Sequence, residues 1–336
     1  MTIKKRLEFV DCSRALCMLW IVGVWHMFGY LNNINEAILS STITSSITNG
    51  VLATFTFISA YFLGQKKISS MHDILEFLKK RFLRIYPLFF LSCTSFLLIY
   101  IWGQVEYING VYQYILTLLG VAPLVGKSPQ TIWYVSMLLS FYFITPFILK
   151  NKTIKIRLVV LVLISALLLT LESFGFGLDG RVALFFPFYA AGLMCSNCLK
   201  TVNDKFNFKY LIVSMCCFLF FVYINSKCIN IFWKYLYQIS FLVLIIEIGK
   251  LAILKNRLKK ILIFISYASM SAYLFHRQFF GVIELFIGKF PVWVAYFIIL
   301  PILLMISYFI QYAYDLIIYK LLKKRSSLIL EEHILK

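Results

Sequence analysis

The sequence predicts an all-α polytopic membrane protein with about ten transmembrane helices and both termini cytoplasmic. Of its 336 residues 61% are apolar and 14% charged, where soluble domains run nearer half and a quarter. Mean hydropathy is +0.86, and aromatic residues make up 18%, which suits a chain that meets lipid and headgroups along much of its length. A soluble enzyme is excluded. In a soluble protein the formal charge of +19 would point to nucleic acid, but here the placement of the basic residues explains it, and no nucleic-acid partner is expected.

Apolar stretches with at most two charged residues and near bilayer-crossing length fall at residues 15–31, 48–64, 84–102, 131–149, 158–174, 182–198, 210–226, 229–249, 261–283 and 291–319. Ten crossings return the chain to its starting side. Short cytoplasmic loops retain Lys and Arg, and 27 of the 33 basic residues lie in the two terminal segments and in every second gap. The clusters run from Lys4 to Arg14, Lys66 to Arg84, Lys150 to Arg157, Lys200 to Lys209, Lys250 to Lys260 and Lys320 to Lys336. The six others are Lys127, Arg181, Lys227, Lys234, Arg277 and Lys289. Residues 107–122 are uncharged, yet an eleventh crossing there would put the later clusters on the wrong faces. The expectation is an interfacial or re-entrant helix on the outer side. The first span follows a basic start as a signal peptide does, but no A-x-A-like site flanks it, so it counts as a helix. No internal repeat or low-complexity tract is visible, and the longest loops, 32–47, 65–83 and 103–130, are too short for a catalytic domain. Residues 1–336 are read as a single integral membrane domain.

Chemistry must then come from polar groups that lipid would otherwise exclude. His26 lies about two thirds through the first span and His276 in the ninth, which runs in the same direction. At about 1.5 Å per residue both imidazoles reach a depth on the order of 20 Å from the cytoplasmic face, so the two can share a cavity. An imidazole takes a proton from a hydroxyl and returns it to a leaving group, as acyl transfer requires; the alternative is a structural histidine bonded to a helix carbonyl. His72 and His333 fall in cytoplasmic segments and are expected to be solvated. Eight cysteines are present, and Cys195 with Cys198 forms a lone CxxC without a second pair or a nearby histidine, so no metal is expected. Glu247, Glu284 and Asp315 lie near helix ends and read as paired structural groups.

The amino-terminal segment RLEFVDCSRALCMLWIVGVWH resembles the opening of acyltransferase family 3, with Asp11, Arg14 and His26 at the matching positions. The likeness continues in NGVLATFTFISAYFLG and in KKRFLRIYPLFF, through Arg81, Arg84 and Pro87. It continues again in TIWYVSMLLSFYFITP, through Trp133, Tyr142 and Pro146, and in ISYASMSAYLFH, which ends on His276. Three departures stand out. Arg14 and His26 are twelve positions apart, one more than is usual in the family. At about 100° per residue this turns them about 120° from each other, so Arg14 faces His26 only if the helix carries a π-bulge. Ser59–Ala60 stands where many members have Ser–Gly, which puts close backbone approach there in question. Leu138 occupies the place where one branch carries Glu, so the chain looks more like the branch without it, and without an appended soluble domain.

The resemblance implies transfer of an acyl group, usually acetyl from acetyl-CoA, to a hydroxyl of a cell-surface glycan or an undecaprenyl-linked precursor such as an O-antigen or capsule unit. It places the protein in a bacterial inner membrane. Acetyl-CoA would be a co-substrate, with no permanently bound cofactor. Its phosphates need cations at the inner face, and Arg81 and Arg84 with Lys79 and Lys80 beside them are placed for this, although such a cluster also simply sets orientation. Asp11 and Arg14 can pair one turn apart and hold the helix entrance. His26 would act as general base, or as the nucleophile of an acyl-histidine intermediate. Trp133 and Tyr134 offer stacking faces to an acceptor sugar entering from the outer side, and equally suit an interfacial belt. The competing class is a transporter or flippase of a lipid-linked glycan. Its paired Gly/Pro-broken helices and intramembrane carboxylates are scarce here.

Overall fold

A computed structural model describes residues 7–30, 41–103, 111–126, 131–150, 153–196, 205–287 and 291–334. Among the described residues the chain is all helix, and nine helices are long and apolar enough to cross a membrane. The first helix, α1, opens as Glu8–Trp20, passes through a π-helical segment Ile21–His26 and closes as Met27–Tyr30. Next come α2 (Thr42–Gly64), α3 (Met71–Gly103) and two short helices, α4 (Val111–Leu118) and α5 (Ala122–Val125). The remainder are α6 (Trp133–Lys150), α7 (Ile154–Ser173), α8 (Gly180–Met194), α9 (Phe208–Lys227), α10 (Ile231–Ile253) and α11 (Asn256–Ile287). The last, α12, runs through Val292–Val294, a π-helical Ala295–Ile299 and Leu300–Ile334.

The expected order of spans is observed, with one short member. The sixth, expected over 182–198, is the 15-residue α8, roughly 22 Å long, and it sits inside the bundle against α2. The described part of residues 107–122 holds no helix long enough to cross a bilayer. Where they are described they form α4 and α5, tied to the bundle where the Ser140 hydroxyl donates to the Gly120 carbonyl at 2.9 Å and the Asp179 amide to the Pro123 carbonyl at 3.0 Å. Lys4, Lys5, Arg6, Lys127, Lys152, Cys198, Lys200, Lys289 and Lys336 lie outside the described residues.

Local chemistry explains the helix boundaries. Short polar side chains accept from the first-turn amides that a helix leaves unpaired: Ser41 for Thr44 at 3.2 Å, Asp179 for Arg181 at 3.0 Å, Asn207 for Lys209 at 3.0 Å and Asn230 for Phe232 at 2.9 Å. Inside helices, Pro87 and Pro187 lack the amide that would bond the carbonyl four residues back. In each case a tyrosine from another helix takes the carbonyl, Tyr314 at Leu83 and Tyr235 at Ala183, the latter at 3.4 Å. Lipid offers a freed carbonyl no partner, so Tyr314→Phe is expected to lower the stability of the detergent-purified protein by roughly 1–3 kcal/mol. Thermal unfolding of the two forms checks this, and an unchanged melting temperature would show the bond to be idle.

Contacts between helix ends align the bundle. The starts of α1 and α11 meet where Lys259 pairs with Glu8 at 3.2 Å, and the start of α9 meets the end of α10 where the Asn207 amide donates to Glu247 at 3.0 Å. At the opposite end the Trp20 indole donates to Thr48 at 3.1 Å and Asn49 to Tyr237 at 3.2 Å. Among the described residues, the basic clusters at the start of α1, at the start of α9 and between α10 and α11 therefore share one end. The core is centred on α2, enclosed along most of its length, whereas α7 faces outward almost throughout. The close approach left in question at Ala60 is present. Gly192 of α8 provides the room, since a Cβ there would lie 2.8 Å from the Ala60 Cβ and 2.3 Å from the Phe57 carbonyl oxygen.

Candidate active site

Two parallel helices, α1 and α11, build the centre. Going up from the basic end, the Ser266 hydroxyl donates to Asp11 at 3.3 Å and the Arg14 guanidinium donates to the Ser269 hydroxyl at 3.1 Å. Highest in the file, His26 Nδ1 and His276 Nε2 lie 2.6 Å apart with ring planes 6° from parallel. The histidines thus reach the common depth expected from their positions. Asp11 and Arg14 bond across to α11 at these two serines.

The π-helical segment Ile21–His26 makes this register possible. A π turn inserts one extra residue into the helix. Twelve steps from Arg14 to His26 then turn the chain about as far as eleven α-helical ones, and both side chains face α11. The conditional expectation attached to the long spacing is met at that segment.

The hydrogen-bond acceptors assign the tautomers. His276 Nδ1 lies 2.7 Å from the Tyr273 carbonyl and 3.1 Å from the Ala272 carbonyl. A carbonyl only accepts, so Nδ1 carries the hydrogen and the neutral ring holds its lone pair on Nε2. That nitrogen accepts from His26 Nδ1, which leaves the His26 lone pair on Nε2. His276 is fully buried, whereas His26 is partly exposed. His276 is therefore bonded to a helix carbonyl, as the structural alternative has it, and to the second imidazole as well. The guanidinium of Arg277, the residue after His276, lies over Phe96 at 5.0 Å.

From the basic end, α3 presents Arg81, partly buried, and Arg84, exposed. Arg81 lies within electrostatic reach of Tyr142, Arg84 and Tyr189, and Arg14 within reach of Arg84, Tyr142 and Tyr134. The three arginines and the tyrosines of α6 and α8 therefore lie near one another. Tyr189 is fixed by a hydroxyl–hydroxyl bond to Thr145, and its ring lies 6.3 Å from that of Tyr142.

Trp133 is buried. Only 7% of its surface is accessible, with Arg181 4.0 Å above one side of the ring system and Phe185 stacked at 6.0 Å. Arg181 is held there by Asp179, at 2.8 and 2.5 Å. Tyr134 is buried as well, with its hydroxyl 3.2 Å from that of Thr56. Neither ring presents an open stacking face to a sugar, because the N-terminal clamp of α8 packs on α6 at that level.

The remaining polar residues fall elsewhere. His72 is exposed, as is Glu284. Glu247 pairs with Lys250 at 2.8 Å, and Asp315 accepts from Tyr267 at 2.7 Å and from Gln311 at 3.0 Å. Among the described residues no three His, Cys, Asp or Glu side chains gather in a way that would hold a metal ion. The sequence reading passed over Ser266, Ser269 and Tyr273. Their spacing to His276 (three, four, then three residues) is the signature of one helix face, and was legible as a polar stripe in an apolar span.

Comparison with curated proteins and with solved structures finds no match. The acyltransferase family 3 description, an acyltransferase domain, matches residues 7–312. With the matched region running from the entrance of α1 to the middle of α12, and so through every helix that supplies the arginines and both histidines, the chain belongs to acyltransferase family 3 and is a multi-pass membrane acyltransferase.

Proposed function

We propose that this acyltransferase moves acetyl from acetyl-CoA to a hydroxyl of a cell-surface glycan or its lipid-linked precursor, in a bacterial inner membrane with the basic end cytoplasmic. The observation that carries this reading is the 2.6 Å bond between His26 and His276, which leaves the lone pair of His26 on Nε2 deep among apolar helices. The His26 Nε2 takes the proton of the acceptor hydroxyl as its oxygen attacks the thioester carbonyl. The new C–O bond forms, the C–S bond breaks, and the proton passes to the departing thiolate, which leaves as CoA thiol. His276 spreads the charge of the transient imidazolium and keeps the ring oriented. Arg277 supplies a positive charge of the sign that a tetrahedral oxyanion needs. At the basic end Arg81 and Arg84 receive the phosphates of CoA.

The test is His26→Ala with membrane abundance confirmed as normal. Acetate esters on the surface glycan are expected to vanish, and an unchanged ester content would overturn the reading. Arg84→Ala is expected to raise the KM for acetyl-CoA about tenfold, the loss of one charge-assisted contact, with kcat nearly unchanged. Initial rates at varied acetyl-CoA in membrane vesicles decide it, since a cluster that only sets orientation would leave KM unaltered.

A further inference from the structure

We infer that Tyr273 is the positioning residue of the histidine pair, and that it acts by holding a strained turn at the entrance of α6. Thr131 adopts φ +72°, and among the described residues no other non-glycine has a positive φ. A β-branched side chain is out of place there, and such a conformation persists only where the surroundings over-determine it. The Thr131 carbonyl accepts a hydrogen bond from the Tyr273 hydroxyl at 2.7 Å, two residues before α6 begins.

The same tyrosine reaches the histidines by a second bond. Its own carbonyl accepts from His276 Nδ1 at 2.7 Å, the contact that assigns the tautomer of the pair. Between these two bonds its ring is wedged, 5.7 Å from Tyr134 of α6 and 5.7 Å from the His276 ring. Thr131, Tyr273 and His276 are all buried. The pull of a turn seeking an ordinary backbone conformation therefore reaches the turn of α11 that orients His276. With the hydroxyl in place, α6 and α11 are locked at the depth of the reacting groups. Without it the turn relaxes, and the carbonyl that fixes His276 is free to shift.

This inference rests on the reading of His26 and His276 as the acid–base pair, and its test separates the two. Tyr273→Phe keeps the ring and removes the hydroxyl. Thr131→Gly keeps the carbonyl and removes the strain, because glycine takes φ +72° freely. Tyr273→Phe is expected to lower kcat for acetyl transfer about tenfold, the kinetic equivalent of one lost hydrogen bond, with the KM for acetyl-CoA unchanged. Adding Thr131→Gly is expected to restore most of that rate, since a relaxed turn no longer needs the hydroxyl. Thermal unfolding in detergent, which does not depend on any acyl transfer, is expected to show the same non-additivity. A Tyr273→Phe protein with wild-type kcat, or a double variant whose losses simply add, would overturn the inference. Intact esters in His26→Ala would instead overturn the proposed function while leaving the unfolding cycle to judge the clamp.

Discussion

In His276→Ala, acetyl transfer is expected to fall by about two orders of magnitude although this residue touches no substrate in the proposed step. The imidazole at 276 is the group that accepts from His26 Nδ1, at 2.6 Å. Once it is gone, either nitrogen of His26 can carry the hydrogen, and much of the population presents a donor where a base is required. His26→Ala removes the base itself and is expected to cost on the order of 10²–10⁴. Because the two rings act as one unit, the double variant should be no slower than His26→Ala alone. His276→Gln, whose amide oxygen can accept from His26, should keep more activity than His276→Ala. Rates measured on membrane vesicles with equal amounts of each variant give the answer. Independent losses that multiply in the double variant would show that the 2.6 Å contact is structural and has no part in proton transfer.

The largest expected effect on stability lies at Gly192, far from any proposed chemistry. Here α8 crosses α2 with backbone almost touching backbone, and a Cβ at 192 would stand 2.3 Å from the Phe57 carbonyl oxygen. Neither atom belongs to a flexible side chain, so the helices must separate, and the loss is about 3 kcal/mol. Gly192→Leu is therefore expected to abolish recovery of folded protein, and Gly192→Ala to lower the melting temperature clearly. Gly281 is the control. A Cβ at that position meets only Ile99 Cγ2, at 4.0 Å, and Gly281→Ala should be neutral or slightly stabilising, because alanine is the better helix former. Thermal unfolding in detergent checks both, and a stable Gly192→Leu would contradict the close crossing. Small residues have this weight in a membrane because apolar surface gains little by leaving lipid for protein, so helix association depends on close packing.

How much of the site was legible varies from residue to residue. His26 and His276 stood out because an imidazole in an apolar span has few reasons to be there, and their equal depth followed from counting. The π-helical segment was legible only as a condition, since a spacing of twelve admits either a rotated arginine or an inserted residue. Ser269 and Ser266 went unnoticed because a single serine in a membrane helix is common, and their value lies in what α1 places opposite them. For Trp133 the sequence leaves a stacking face and an interfacial belt equally open, because its aromatic character is visible there, whereas the Arg181 guanidinium that covers it comes from a helix 48 residues later.

By itself the sequence determined the class of protein, the order of the apolar helices, the alternation of the basic clusters along the chain, and the two titratable rings. These are properties of composition and local spacing, which a bilayer reads directly through the cost of placing charge in hydrocarbon. Only the tertiary structure decided which nitrogen of which histidine bears a proton, which serines receive Asp11 and Arg14, and that Gly192 lets α8 reach α2. Each of those depends on distances of a few ångström between residues far apart in the chain, and hydrophobic periodicity carries no information about such distances.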